Sequence, residues 1–389
     1  MALPEFDAIV VGAGSVGNPA AYFLAQGGAR TLVLDELPSS GQGQNKAAIG
    51  GVRATHSDPA KIRIGQQSLD IFAHWKESTG TDIGWKQGGY CFPAFDESVQ
   101  STLERLLPIQ KAHRLTIDWL EPEGIRRVVP GITSDGLRGG TFSPEDGQVS
   151  PLRAAESFTN EAVRLHATYR YGETVSSLVM EDHRVTGVRT DRNEYRAPTV
   201  ILAAGTHATR LCHTVGLDLP VLPESHEAGI SAPVQPFLGP LVVDLRPGPE
   251  GKTTNFYFGQ DSDGQIIFCY TPKARFPGEN RTSTFEFMPI VAARLVNLIP
   301  RLKNLTIRRV WRGLYPMTPD GNPIVGRAPN VDGLLLGIGM CGQGFMLGPG
   351  VGLNLASLAL RGKPAIDPEV FDLLSPARDL YGGRRESLK

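Results

Sequence analysis

Gly12-Ala13-Gly14-Ser15-Val16-Gly17 is a G-x-G-x-x-G run placed directly after an apolar segment, residues 6–11, and directly before a helix-forming one, residues 19–26. In that context the spacing is phosphate chemistry. The first glycine permits a tight turn, the second lets backbone amides approach a pyrophosphate, and the third lets the helix pack closely so that its N-terminus faces the phosphates. Asp35 ends the next apolar run, at the spacing of an acid that accepts hydrogen bonds from an adenosine ribose, and Glu36 follows it. Gly12, Gly14, Ser15, Val16, Gly17, Asp35 and Glu36 are therefore the expected dinucleotide contacts. An ordinary strand-to-helix turn beside a surface carboxylate uses the same residue types, but here context and spacing agree. The fingerprint alone serves NAD and FAD equally.

A second glycine cluster, Gly337-Ile338-Gly339-Met340-Cys341-Gly342-Gln343-Gly344-Phe345-Met346, leads into an apolar helix expected at residues 351–360. Such a turn aims amides and a helix dipole at an anion. In a flavoprotein that anion is the N1/O2 edge of the ring, which becomes negative on reduction; a simple NAD dehydrogenase has no such use for it. Close packing is the competing reason for so many glycines. Two glycine turns at opposite ends of the chain point to FAD, with Gly342, Gly344, Phe345 and Met346 at its ring.

The elements that must position these turns follow from periodicity. Residues 6–34 read as strand, turn, helix, strand, and the polar, glycine-rich residues 39–51 must then lie against the crevice of the sheet. Helices are expected at 59–75 and 151–166, strands at 175–180, 185–189 and 199–203. Residues 85–146 read as irregular. Residues 220–311 are rich in β-branched and aromatic types, with strands expected at 229–232, 241–243, 255–258 and 265–270 and a helix at 288–298. The fold class is α/β with α+β: a Rossmann-type nucleotide domain from residues 1–85, 147–219 and 312–375, and an antiparallel-sheet substrate domain from 86–146 and 220–311. Residues 376–389 are a tail, and 382–389 are expected to fray.

Composition narrows the function further. A chain of 389 residues with 41% hydrophobic and 20% charged residues buries a large core and is neither disordered nor disulfide-stapled. Lys+Arg at 39 against Asp+Glu at 40 leaves a formal charge of −1, so no global field holds nucleic acid or an anionic membrane, and a small-molecule partner is expected. The four cysteines form no C-x-x-C, which argues against a metal site or a disulfide framework and suits a reducing cytoplasm. No basic-then-apolar leader precedes the first strand. Residues 333–360 carry no charged side chain, but their repeated glycines argue for a buried strand, a loop and a buried helix rather than a transmembrane span.

Two further runs carry a resemblance. Pro223-Glu224-Ser225-His226 followed by Ile230-Ser231-Ala232-Pro233-Val234, and Met317-Thr318-Pro319-Asp320-Gly321-Asn322-Pro323-Ile324-Val325-Gly326, resemble the D-amino-acid oxidase superfamily of flavoproteins. Within it the motifs are most similar to the sarcosine oxidase β subunit and proline dehydrogenase β subunit group. The resemblance covers most of the chain and implies a glutathione-reductase-like FAD fold. It also implies FAD contacts at Asn45, Lys46, Ala48 and Ile49 in the loop, at Val175, and at Ala204 and Gly205. Where some relatives attach flavin to a cysteine this chain has Gly313, and where others anchor FMN on a histidine it has Pro151. Non-covalent FAD without covalent FMN is the implied state.

The same resemblance implies oxidation of a secondary amine or amino acid, of sarcosine, N-methyl amino acid or proline type, by hydride transfer from the carbon next to nitrogen to flavin N5. Arg53 matches an arginine that clamps the substrate carboxylate, although an arginine also serves as an ion-pair partner or a strut of the flavin loop. The second cation of such sites is Met346 here, and the arginine of glycine oxidases is Tyr315, a residue able to donate to a carboxylate, stack on substrate or simply fill a core. His56 and His226 are candidate proton acceptors, since an amine must be neutral before it gives up hydride; a single histidine is as readily structural. Ile267 stands where oxygen-using relatives carry a lysine, so O2, a quinone or a carrier protein are all open as acceptor. A partner subunit or homo-oligomer, oxidation of a C–OH substrate, and an FAD-bearing subunit of a multi-subunit dehydrogenase are the alternatives.

Overall fold

The computed structural model describes residues 5–382 and 385–388. Val, Ile and Leu fill Ala8–Val11, Thr31–Asp35, Thr199–Leu202 and Leu334–Ile338 almost without interruption, the pattern of strands covered on both faces. They form the centre of a six-stranded sheet in the order Ile324–Arg327, Leu334–Ile338, Thr199–Leu202, Ala8–Val11, Thr31–Asp35, Thr168–Tyr171. All neighbours are parallel except the first pair. Ala8–Val11 has its successor on one side and Thr199–Leu202 on the other, so the strand order reverses there and a crevice opens beyond the strand ends. Helices Gly17–Gln26, Pro59–Ala73, Pro151–Arg164 and Gly344–Arg361 cover one face. A three-stranded sheet and the helix Ala208–His213 cover the other.

A second sheet of eight strands runs in the order Ile307–Met317, Leu222–Pro233, Gln265–Pro272, Thr253–Gln260, Leu241–Asp244, Tyr90–Ala94, Gly139–Ser143, Asp118–Leu120. It is antiparallel apart from the Leu241–Asp244 and Tyr90–Ala94 pair. The period of two along its strands separates two environments. Phe256, Phe258, Ile266, Phe268 and Tyr270 pack with Phe287, Val291 and Leu295 of the helix Phe287–Leu298. Asn255, Tyr257, Cys269 and Thr271, one residue out of step, face a cavity between the two sheets.

Several elements differ from expectation, each for a physical reason. Residues 85–146 contain a sixteen-residue helix, Glu97–Ala112, started by Asp96, whose carboxylate accepts from the Val99 amide at 2.8 Å. The strand Leu222–Pro233 is far longer than residues 229–232, because it is paired along its length with Ile307–Met317, itself a strand that crosses position 312. The last long helix begins at Gly344 rather than 351. Its glycines are contact points: a side chain at Gly348 or Gly350 would collide with the Ser15 or Ile64 carbonyl, and a Cβ at Gly352 would lie 2.6 Å from the Ala20 nitrogen. The glycine-rich half is therefore a stripe on which neighbouring helices close, not a loop. No described helix is long and apolar enough to cross a membrane.

The tail also differs. Fraying was expected for residues 382–389, yet Leu388 is 1% exposed and joins the apolar cluster of Tyr90, Phe92, Leu241 and Val243, while Glu386 is buried against Lys61. Residues 383, 384 and 389 lie outside the described residues.

Candidate active site

One cavity of about 590 Å³ extends from the first glycine turn, past the residue 42–51 loop, to the polar face of the eight-stranded sheet. At its nucleotide end Gly12 has a φ of 104°, and a Cβ there would come within 2.5 Å of the Ala203 carbonyl oxygen. Gly17 touches the Gly12 carbonyl so closely that no side chain fits, whereas Gly14 faces open space. Asp35 accepts from the Ala13 amide at 2.7 Å and the Leu37 amide at 2.8 Å. Burial raises its pKa, and those two amides oppose the rise. Glu36 pairs with His207 at 2.8 Å on the rim.

The middle and ring end are built from the loop and the second glycine turn. Asn45 donates to the Pro151 carbonyl at 2.9 Å, and its buried Oδ1 has no partner among the described residues. Gly342 has a φ of 79°, and a side chain there would strike the Tyr315 ring. Gly344 opens the helix Gly344–Arg361, whose first turn has no side-chain cap and no acidic residue. The helix Gly17–Gln26, whose preceding turn lies beside it, with Ser15 Oγ 3.3 Å from where a Gly344 Cβ would stand, lacks both as well. Two uncapped helix N-termini, open space at Gly14 and a partnerless buried acceptor suit an anionic dinucleotide whose ring presents both donors and acceptors.

At the substrate end, Arg53, Tyr90, His226, Leu241, Val243, Tyr257, Cys269, Tyr315 and Leu388 line the wall. His226 stacks on Tyr315, centroids 3.9 Å apart, and the Tyr315 and Tyr257 hydroxyls are 3.1 Å apart. Burial raises both tyrosines further above the physiological range, so both hydroxyls keep their protons. The Cys269 thiol is pushed up to about 12 by burial and donates to the Glu227 carbonyl at 2.9 Å, which makes it a poor nucleophile. Arg53 is buried, donating to the Thr55 carbonyl and, at 2.6 Å, to the Leu388 carbonyl.

Of the candidate cofactor-contact and catalytic residues, Gly17 and His56 do not line the cavity and the others do; Ile267, the position of the lysine of oxygen-using relatives, does not line it either. Gly17 is a packing position. His56 sits in a buried polar cluster behind the wall, 3.6 Å from Glu386, and burial, reinforced by Arg53, pushes its pKa down to about 3. The same region holds Lys61, paired with Glu386, and Asp146, which accepts from Thr55 at 2.6 Å and the Ala54 amide at 2.9 Å. Cys269 and Cys341 both line the cavity, although neither is near Gly313 in sequence. Tyr257 and Cys269 are not among the residues singled out, though strand alternation carries the signal for both. Lys61, Asp146, Glu386 and Leu388 carried no local signal.

Comparison with known proteins shows the family and the fold. The family described as FAD dependent oxidoreductase (DAO) matches residues 7–358. The crystal structure of L-proline dehydrogenase from P. horikoshii superposes with a TM-score of 0.90 at 28% identity, covering 98% of this chain and 100% of that one. The sarcosine oxidase β subunit of Rhizobium meliloti (strain 1021) is 26% identical over 95% of this chain and 88% of its own length. The 4-methylaminobutanoate oxidase (formaldehyde-forming) of Paenarthrobacter nicotinovorans is 23% identical over 94% of this chain but only 45% of its own length. The chain thus spans about half the length of the first curated relatives it matches.

Proposed function

Because the chain belongs to the DAO family of FAD-dependent oxidoreductases, we propose that its cavity holds FAD non-covalently between the two glycine turns and oxidises a secondary amine or amino acid at the carbon next to nitrogen. The observation that carries this reading is the convergence of one buried cation, Arg53, and one ordered aromatic pair, Tyr315 and His226, on the cavity beside the Gly342–Met346 edge. FAD held there would supply a hydride acceptor at N5, and the imine formed from the substrate would be hydrolysed by water.

The chain's own residues bind and orient. Arg53 spends two of its N–H groups on the Thr55 and Leu388 carbonyls and keeps others for a substrate carboxylate, which would be costly to bury without a cation. Tyr315 and Tyr257, both protonated, offer hydroxyls at the same wall. His226 is the candidate acceptor of the ammonium proton, since it lines the cavity. His56, neutral and behind the wall, serves as a strut. Names of the relatives, among them proline dehydrogenase, a sarcosine oxidase subunit and a methylaminobutanoate oxidase, support a small amine or imino acid as substrate. The reduced cofactor would need an acceptor, for which O2, a quinone and a carrier protein are the candidates.

The test is turnover of sarcosine, other N-methyl amino acids, glycine and proline, with 2-hydroxy acids as controls, scored by the carbonyl and amine products with O2 or a dye as acceptor. Activity confined to the hydroxy acids would overturn the reading.

A further inference from the structure

The C-terminal residues reach the substrate end from the opposite end of the chain, and they are fixed there by contacts that a loose tail would not make. One carboxylate oxygen of Glu386 accepts from the Ser57 amide at 3.0 Å, the Ser57 hydroxyl at 2.7 Å and the Leu388 amide at 2.9 Å. Its other oxygen pairs with Lys61. Lys61 and Glu386 have no solvent access, and Lys61 also donates to Gln343 at 3.2 Å, at the start of the helix beside the ring end. A buried lysine separated from its carboxylate is strongly unfavourable, so this pair holds the tail in place. The Ser387 amide adds a bond to Ser57 at 2.9 Å.

What the latch delivers is Leu388. Its carbonyl takes the Arg53 guanidinium at 2.6 Å, and its side chain fills the space among Tyr90, Leu241 and Val243, all cavity-lining residues. Lys61, buried behind the cavity wall, is matched by Glu386. Arg53 is left facing the cavity beside an apolar wall.

We propose that residues Glu386–Leu388 form a specificity element of the active site: Leu388 sets the depth of the substrate end and orients Arg53, and Glu386 positions it by latching onto Lys61. The element restricts the site to small carboxylate-bearing amines with a short aliphatic substituent. It rests on the functional reading above and deepens it by naming what limits the substrate.

The test uses the FAD-loaded full chain with acetate and benzoate as substrate-like carboxylates, their dissociation constants read from perturbation of the flavin spectrum. Leu388→Ala removes the apolar wall and is expected to shift the benzoate-to-acetate affinity ratio toward benzoate by about tenfold or more. Leu388→Phe is expected to shift it the other way. Opposite shifts in two variants are not produced by general loosening of the fold. If the alanine variant fails to retain flavin, the phenylalanine variant decides. A ratio that stays within about twofold of the parent in the variants that retain flavin overturns the proposal. A parent protein that neither responds to any carboxylate nor is reduced by any amine overturns the functional reading and this proposal with it; a responsive parent with an unmoved ratio overturns the tail element alone.

Discussion

The imidazole of His226 lies flat on the ring of Tyr315, centroids 3.9 Å apart and planes 14° apart. Tyr315 also meets the Tyr257 hydroxyl at 3.1 Å and fills the space that the missing side chain of Gly342 leaves. It therefore joins the polar face of the substrate sheet to the second glycine turn. Tyr315→Phe keeps the stack and the volume but loses the hydroxyl. We expect unchanged flavin content and a fall in kcat/KM of about 10- to 100-fold, the cost of one hydrogen bond to a charged substrate group.

Gly12→Ala should abolish flavin binding. The new Cβ would lie 2.5 Å from the Ala203 carbonyl oxygen at a φ of 104°, so the turn must open and carry its amides away from the diphosphate. Gly14→Ala has room for its methyl group in the protein alone and tests the dinucleotide itself: loss of affinity there comes only from contact with bound FAD. Flavin absorbance of the purified variants and titration with FAD measure both.

Breaking the buried pair should destabilise more than replacing it. Glu386→Ala leaves Lys61 without a counter-charge and is expected to cost about 3–5 kcal/mol, whereas Lys61→Met with Glu386→Gln should recover most of that loss. Urea unfolding of the two variants and the parent gives the comparison. Burial raises the Glu386 carboxyl, but Lys61 and then His56 outweigh it and hold the pKa well below the usual range, so the pair's contribution is present above the ordinary carboxylate pKa and lost as pH falls through the lower folded value.

Two buried groups give opposite pH slopes. Burial, then Arg53, lowers His56 from 6.5 to about 3, so between those values the unfolded chain binds more protons and stability rises with pH. Burial raises Asp146 from 3.8 to about 6 against the bonds from Thr55 and Ala54, so between those values the folded chain binds more protons and stability falls as pH rises. From pH 4 to 6 the two oppose each other. Asp146→Asn removes the falling part, and its unfolding free energy should climb more steeply with pH than the parent's, by on the order of 1 kcal/mol per unit. Urea unfolding at three pH values across that window checks the sign.

How much of this was readable in the sequence depends on the range of the interaction. The Gly12–Gly17 turn and Asp35 were legible because a turn between a strand and a helix is fixed by neighbours within a few residues. Tyr257 and Cys269 are not singled out by the sequence, although strand alternation carries the signal: with Phe256, Phe258 and Phe268 facing the apolar core, their neighbours must face the other way. The helix Gly344–Arg361 was read too short because Pro349 and its glycines locally resemble a loop, and only packing against Ser15, Ile64 and Ala20 explains them. Glu386 and Leu388 were unreadable for the same reason at greater distance: nothing near them in sequence announces that Lys61 and Arg53 are their partners. His56 has the residue type of a proton acceptor but is buried and does not line the cavity, so burial, not residue type, decides whether an imidazole can meet substrate.

The most direct measurement is anaerobic addition of small secondary amines and amino acids to the purified FAD-loaded chain while its flavin absorbance is followed. Bleaching by at least one N-methyl or imino acid, lost or greatly slowed in Arg53→Met with flavin still bound, is the predicted result. Flavin that stays oxidised with every amine yet is reduced by a hydroxy acid, or a folded chain that takes up no FAD, would contradict it.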